Sequence, residues 1–453
     1  MKKIFIIGIG GKGLNGIAKI CLEKGYQVSG VDTQRKDETI SLEKNGAKIF
    51  YEHSEKNIKP DIDLIIYSSL AKNSPEISAG QRYGIKIMKR SAFLDKITKD
   101  TFRISVAGSH GKSTTTALLG LSCINAGLDA TIYGGAYTKE FNGYNHFGKA
   151  NYSIIEACEY DRSFYDLVGN MTIITSLEKS HLEYYKTENK MNKAFEYFLN
   201  KHDEFSKVFI NGDDLKLKRI CRGIKGRLIT FGFGIQNDYI VSEVRKEENE
   251  SIFSIYHKGQ KIIDKLKIKI PGDYNILNFV SVVAVMNELN LNIKLVHKVA
   301  ENFYGVGRRF EISKNKTGQI LIDDFAHHPT QVKYLFDGIR QFYPKSKVLA
   351  IFQPRQFNIM KNFTNEYGES FKQADEIIMT DIIPTLMDTP EDIKSISSQK
   401  LMETIALKSN KPIRLINTFP EIIAYARNHY QKNDIITTIG AGDIYKVRDE
   451  LMK

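Results

Sequence analysis

The segment that most restricts how this chain can fold is Gly108-Ser109-His110-Gly111-Lys112-Ser113-Thr114-Thr115. It follows an apolar, strand-like run, Phe102 to Val106, and precedes an apolar stretch that reads as a helix beginning at Ala117. A strand that enters a glycine loop and leaves through a helix is a βα unit, and such units build parallel sheets covered by helices. The spacing departs from the full G-x-x-x-x-G-K-[ST] pattern, because position 106 is Val. The chemistry of a phosphate loop is nonetheless present. Backbone amides from Gly108 to Gly111 can cradle phosphate, Lys112 can neutralise β/γ oxygens, and the Ser113 hydroxyl can hold Mg²⁺.

The same strand, glycine turn and helix open the chain. Lys3-Ile4-Phe5-Ile6-Ile7 leads into Gly8-Ile9-Gly10-Gly11-Lys12-Gly13, then a helix-like stretch through Lys24 and a second strand, Tyr26 to Val31, that ends at Asp32. Glycines at 8, 10 and 13 permit a tight turn and close approach of a pyrophosphate to a helix N-terminus, and Asp32 can accept from a ribose hydroxyl. At this level a nicotinamide site, a uridine diphosphate site and a purely structural turn look alike.

At 453 residues the chain is long enough for two to four domains of about 150 residues each. Three α/β units are legible. The pattern restarts after Lys99-Asp100, continues through strands at Tyr152 to Ile155 and Met171 to Thr175, a helix at Met191 to Leu199 and a β-rich insertion near Tyr239 to Ile270, and closes near Tyr304 to Arg309. Gln319 to Ile322, Lys347 to Phe352, Glu376 to Thr380 and Ile435 to Ile439 then alternate with helical patterns. The expected architecture is therefore α/β with three domains. Residues 1–97 form a Rossmann-like domain, 98–308 a central P-loop ATPase-like domain with a mostly parallel sheet, and 309–453 a C-terminal Rossmann-like domain.

Composition excludes several classes. Hydrophobic residues at 42% and charged residues at 26% are those of a globular protein, not of a disordered tail. Apolar stretches such as Val280 to Met286 fall short of the roughly 18 residues a spanning helix needs, so the chain is expected to be cytosolic, without a membrane partner. The net charge is +12, but the basic residues are scattered and form no nucleic-acid-binding signature, so no nucleic-acid partner is expected. Cys21, Cys123, Cys158 and Cys221 are far apart and read as reduced core thiols.

Two further groups of residues carry chemistry. Glu156-Ala157-Cys158-Glu159-Tyr160-Asp161 follows a buried-looking strand, which places hard oxygen ligands suited to Mg²⁺ at a strand's C-terminal end. An isolated cluster of this kind reads equally as a solvated acidic loop, and His181 alone reads as a surface histidine. In the third unit Asp323-Asp324-Phe325-Ala326-His327-His328-Pro329 also follows a strand. Side chains of adjacent histidines on extended backbone diverge, so this pair suits contacts to a substrate or a ribose better than a metal.

Taken together, these segments resemble the Mur ligase family over essentially the whole length. The resemblance rests on Gly8-Ile9-Gly10-Gly11 with Gly13, Tyr67-Ser68-Ser69 with Asn73-Ser74-Pro75-Glu76, the loop Gly108 to Thr114, Glu156-Ala157-Cys158-Glu159-Tyr160 and Asn211-Gly212-Asp213-Asp214. It continues with Pro271-Gly272 and Asn275 and Asn278, Gly305-Val306-Gly307-Arg308-Arg309-Phe310-Glu311, Asp323-Asp324 with His327-His328-Pro329, Phe352-Gln353-Pro354, and Gly440-Ala441-Gly442-Asp443-Ile444. It implies an ATP- and Mg²⁺-dependent amide ligase, with UDP-N-acetylmuramate and L-alanine as substrates, working as a monomer or homodimer in peptidoglycan precursor synthesis. A substrate carboxylate would attack the γ-phosphate, and the amine would then attack the acyl phosphate.

Residue by residue, the resemblance implies that Gly8, Gly10, Gly11, Gly13, Asp32, Ser68 and Ser69 bind the UDP substrate. Gly108, Ser109, His110, Gly111, Lys112, Ser113, Thr114, Asn275, Asn278 and Asp324 would bind ATP, the two asparagines facing adenine and Asp324 the ribose. Ser113 and Glu156 would ligate Mg²⁺, and His181 a second Mg²⁺ near the substrate carboxylate; Lys112, His181, Arg308 and Arg309 would serve the reaction; His327 and Arg355 would meet the amino acid. The chain departs from the family pattern at Ser180, where Asp is usual before the metal-binding His, at Tyr274, where His is usual, and at Arg355-Gln356-Phe357-Asn358-Ile359. Phe325 and Pro354-Arg355 also resemble the ligase that recycles a murein tripeptide onto UDP-N-acetylmuramate. A nicotinamide dehydrogenase would leave Lys112, Glu156 and His181 idle, and a nucleotide-binding homologue without turnover would not need all of them.

Overall fold

The computed structural model describes residues 2–385 and 387–453. They fall into two compact units. The first runs through Glu178 and adds Met191–Thr230 and Ala284–Leu291; the second comprises Lys179–Lys190, Phe231–Val283 and Asn292–Lys453.

The first unit opens with strands β1 (Lys3–Ile7), β2 (Gln27–Val31), β3 (Lys48–Phe50), β4 (Leu64–Tyr67) and β5 (Lys86–Lys89), joined by helices such as Lys12–Glu23 and Arg90–Thr98. They pair in parallel in the order β3-β2-β1-β4-β5. Central β1 is apolar almost throughout because both faces are covered; Ile4 is level with Val28 on one side and Leu64 on the other. Next come β6 (Phe102–Ala107), β7 (Thr131–Thr138), β8 (Gly143–His146), β9 (Tyr152–Glu156), β10 (Met171–Ile174) and β11 (Lys207–Asn211). Their order is β11-β10-β6-β9-β7-β8, so β6 lies between β10 and β9, with Val106 level with Ile173 and with Glu156.

In the second unit Phe231 and Gly232, which end β12 (Arg227–Gly232), pair in parallel with β13 (Tyr239–Glu247). Then β14 (Glu250–His257) and β15 (Gln260–Ile268) continue as antiparallel neighbours, which is the β-rich insertion expected near 239–270. The last sheet has β16 (Glu311–Lys314) antiparallel to β17 (Ile320–Asp324), followed by β18 (Val348–Phe352), β19 (Glu376–Met379), β20 (Ile413–Leu415) and β21 (Ile435–Ile439). The order is β16-β17-β21-β18-β19-β20. Successive residues of its strands serve opposite cores. Ile322, Val348, Ala350 and Phe352 pack with the helix Pro329–Phe342, whereas Leu321, Leu349 and Ile351 pack with the helices Phe419–His429 and Tyr445–Met452.

Expected strands recur within about two residues, but one helix boundary does not. The helix after the phosphate loop starts at Lys112, not Ala117, and runs to Asn125. Gly111, at φ +81°, turns the chain directly into the helix, so Lys112, Ser113 and Thr114 form its first turn. The run Ser113-Thr114-Thr115-Thr116 lacks the apolar periodicity by which a helix is read from sequence. Cys21, Cys123 and Cys221 are buried thiols, each pushed up to about 12 by burial. Among the described residues no helix is long and apolar enough to cross a membrane.

Candidate active site

The phosphate loop lies at the C-terminal end of β6. A methyl group on Gly108, which has φ +131°, would lie 2.2 Å from Thr175 Oγ1, so only glycine lets the loop pack here. The segment after β10 braces the loop from beneath. Ser109 N–H donates to the Ser176 carbonyl (3.0 Å), His110 N–H to Ser176 Oγ (2.9 Å), Ser109 Oγ to the Glu178 carbonyl (2.8 Å), and Glu178 N–H back to Ser109 Oγ (2.9 Å). Val106 occupies the place of the missing glycine because β6 runs on through Ala107 before the chain turns.

Lys112 Nζ lies 2.8 Å from Glu159 Oε2 and donates to the carbonyls of Gly108 and Ser109. Burial works most strongly against the charged lysine, but Glu159, Cys158 and Glu156 together hold the ammonium above its ordinary value. Glu156 ends β9 with Oε2 accepting from Gly135 N–H at 2.8 Å. A methyl on Gly135 would fall 2.4 Å from Glu156 Oε1, so β7 needs glycine beside this carboxylate. The Ser113 hydroxyl on the helix's first turn and the fixed Glu156 carboxylate are hard oxygen donors, a set that fits Mg²⁺.

At the N-terminal sheet the glycine turn takes the expected form. Gly8 adopts φ +80°, Gly11 N–H donates to the Gly8 carbonyl (2.9 Å), and Gly10 N–H donates to Asp32 Oδ2 (3.0 Å). Asp32 thus organises the turn itself, its other oxygen accepting from Gln34 N–H at 3.1 Å. Ser68 stands beside Gly8, and the Arg90 guanidinium lies 2.7 Å from where a Gly13 Cβ would be. Ser69 instead donates to Asp161. Burial works to raise the Asp161 carboxyl, but hydrogen bonds from Lys89 and Ser69 hold it below its ordinary value.

The second unit groups another set. Asn275 Nδ2 donates to the Pro271 carbonyl (2.7 Å), and Asn278 Nδ2 to Asn275 Oδ1 (3.2 Å), while the ring of Tyr274 stacks on Tyr334 at 5.2 Å. Asp324 accepts from the N–H groups of Phe310 (2.7 Å) and Ala326 (2.8 Å); burial pushes its carboxyl up to about 6, against the pull of Arg309. Arg308, at φ +61°, donates Nε to Asp323 (2.9 Å), Nη1 to the Gly442 carbonyl (2.8 Å) and Nη2 to the Gly440 carbonyl (2.6 Å). Its guanidinium holds the sheet's strand ends together. The guanidinium of Arg309 lies over the Phe325 ring at 5.0 Å. Gln353 fills the niche left by Gly440 and Gly442, either of which would collide with it if it bore a methyl group. Phe352-Gln353-Pro354 and Gly440-Ala441-Gly442 are therefore two halves of one packing contact.

Three family models cover the chain. The Mur ligase family catalytic domain matches residues 3–101, the Mur ligase middle domain 106–286, and the Mur ligase glutamate ligase domain 308–442. A UDP-N-acetylmuramate–L-alanine ligase of Desulforamulus reducens is 33% identical over 100% of this chain and 97% of its own length. The chain belongs to the Mur ligase family. A second such ligase, from Clostridium kluyveri, is 33% identical over 98% of this chain and 97% of its own. Among solved structures, UDP-N-acetylmuramate-alanine ligase MurC from Thermotoga maritima superposes with a TM-score of 0.83 at 25% identity, covering 100% of this chain and 98% of that one. A murein peptide ligase from Psychrobacter arcticus shares the fold with a TM-score of 0.74 at 20% identity, covering 100% and 98%. The three-domain α/β Mur ligase fold with mostly parallel sheets is the architecture expected from the sequence.

Of the Mur ligase site residues expected from the sequence, the first unit gathers Gly8, Gly10, Gly11, Gly13, Asp32 and Ser68 around one turn, and Gly108 to Thr114 with Glu156 around another. His181 belongs to the second unit, with φ +51°, its carbonyl accepting from the N–H groups of Tyr184 and Tyr185. His327 and His328 diverge as expected, the first ring against Phe325 and the second against Phe363. Arg355 is level with Ile383 in an isolated bridge. Sequence reading passed over Glu159, Arg90 and Gly135. Glu159 stood within a motif already singled out, and only its approach to Lys112 sets it apart from its neighbours.

Proposed function

We propose that this chain joins L-alanine to the lactyl carboxylate of UDP-N-acetylmuramate, with hydrolysis of ATP to ADP and phosphate, in cytosolic synthesis of peptidoglycan precursors. Full-length identity of 33% to ligases of that name carries the reading. The division of labour that goes with it is UDP substrate on residues 1–97, ATP on 98–308 and amino acid on 309–453.

The substrate carboxylate attacks the γ-phosphorus of ATP, ADP leaves, and an acyl phosphate forms. The alanine amine then adds to the acyl carbon, loses a proton, and inorganic phosphate departs as the amide forms. The protein contributes no covalent bond, so its work is charge neutralisation and alignment. Lys112 is kept protonated by its acidic surroundings and meets the β/γ oxygens from the first turn of a helix whose N-terminal amides favour anions. Ser113 and Glu156 would hold Mg²⁺, which when bound offsets phosphate charge, and His181 would serve a second Mg²⁺. Glu156 is presented to the first by Gly135 N–H. Arg309 is the arginine assigned to phosphate or substrate carboxylate, since each nitrogen of Arg308 already donates within the fold, to Asp323, Gly442 and Gly440.

The pathway is tested by labelling the UDP-N-acetylmuramate carboxylate with ¹⁸O. An acyl phosphate transfers one labelled oxygen to inorganic phosphate, and phosphate free of label would refute the mechanism.

A further inference from the structure

The pairing of Lys112 with Glu159 bears on how the phosphate loop is filled. The Lys112 ammonium donates to the carbonyls of Gly108 and Ser109 and is ion-paired with Glu159 at 2.8 Å. In this position the ammonium is folded back on its own loop, and reaching a γ-phosphate means leaving at least one of these partners. The side chain of Glu159 is fully buried (0% exposed), whereas that of Lys112 retains 12% exposure. The acid is also anchored on both sides. Ala157 N–H donates to the Val106 carbonyl of β6 at 2.9 Å, and Arg162 N–H to the Glu159 carbonyl at 3.0 Å. Two successive residues beyond it, Asp161 and Arg162, sit at φ +52° in the left-handed region, a strained arrangement that its surroundings must hold. Lys89 does so, donating to the Asp161 carbonyl at 2.7 Å and pairing with its carboxylate at 2.7 Å.

We infer that Glu159 is the resting partner of Lys112: it holds the ammonium away from the phosphate position, and bound nucleotide must take the lysine from it. Glu159 is thus a positioning residue that sets nucleotide affinity through the lysine. The inference rests on the reading of Gly108 to Thr114 as the ATP loop. Bound phosphates and the Glu159 carboxylate compete for one cation, so apparent affinity is reduced by the fraction of molecules in which the lysine is held back. A residue that merely supported the loop would weaken nucleotide binding when altered; a competitor for the lysine strengthens it.

The test is the dissociation constant of ATP and of ADP, by calorimetry on the full chain, for the unaltered protein, Glu159→Gln, Lys112→Met and the double variant. Glu159→Gln is expected to bind both nucleotides about tenfold more tightly, and to lose that advantage when Lys112 is Met. Glu159→Asp, which keeps the charge but shortens its reach, gives the same direction with a smaller change and serves if the Gln variant does not fold. Unchanged or weaker binding in the glutamate variants, or tightening that persists with Lys112→Met, overturns the inference. Failure of the unaltered protein to bind nucleotide overturns instead the reading of the loop on which it rests.

Discussion

Arg308 Nε donates to Asp323 Oδ2 across 2.9 Å, and this carboxylate has no exposed surface. The same guanidinium reaches the carbonyls of Gly440 and Gly442. One cation therefore ties the end of β17 to the segment that follows β21. Arg308→Ala leaves a buried acid without its counter-charge, a change that costs about 3–5 kcal/mol. The variant is expected to melt well below the unaltered protein in thermal denaturation, with Arg308→Lys intermediate because it loses the forked geometry. An unshifted melting curve combined with lost turnover would return Arg308 to a substrate-contacting role.

Lys112→Ala is expected to abolish ligation while leaving UDP-N-acetylmuramate binding nearly intact, because the lysine belongs to the phosphate loop and not to the glycine turn at Gly8. Parallel turnover and binding assays check this. Normal turnover would remove the phosphate-loop assignment.

Gly135→Ala places a methyl 2.4 Å from Glu156 Oε1 and so displaces that carboxylate. The expected result is a rise of about tenfold or more in the Mg²⁺ concentration for half-maximal turnover. Mg²⁺ titration measures it, and an unchanged half-saturation would show that Glu156 is not a metal ligand. His181→Ala is likewise expected to weaken Mg²⁺-dependent turnover more than ATP binding.

Burial raises the Asp324 carboxyl to about 6, with Arg309 opposing and Asp323 adding to the shift. Between its ordinary value and 6 the folded chain holds a proton that the unfolded chain has lost. This group's contribution to stability is therefore greatest in acid, falls as pH rises through that window, and levels off above 6. If Asp324 accepts from the ATP ribose, nucleotide affinity should weaken below pH 6, and Asp324→Asn should remove that dependence. Titrating ATP binding between pH 5 and 8 distinguishes the two.

The parallel α/β plan was legible because buried strands such as residues 4–7 and Val348–Phe352 are unbroken apolar runs, and because Gly8 and Gly108 adopt left-handed turns few other residues tolerate. The start of the helix at Lys112 was hidden by the polar, β-branched residues of its first turns. Motifs gave residue types but not partners. Arg308 and Arg309 are adjacent in sequence and both guanidinium groups lie over Phe325, yet it is Arg308 that is bound to Asp323. Gln353 and Gly442 were noted as separate motifs, and only folding shows that one fills the space left by the other. Glu159 could not be told from Glu156 or Asp161 until its distance to Lys112 was known.

The most direct measurement of the central claim is phosphate release from ATP with UDP-N-acetylmuramate present, comparing L-alanine, glycine, L-serine and the murein tripeptide as acceptors. The account predicts release that depends on UDP-N-acetylmuramate and is fastest with L-alanine, making Arg355 to Ile359 a variant alanine pocket. Release with the tripeptide alone, or none with any acceptor, would contradict it.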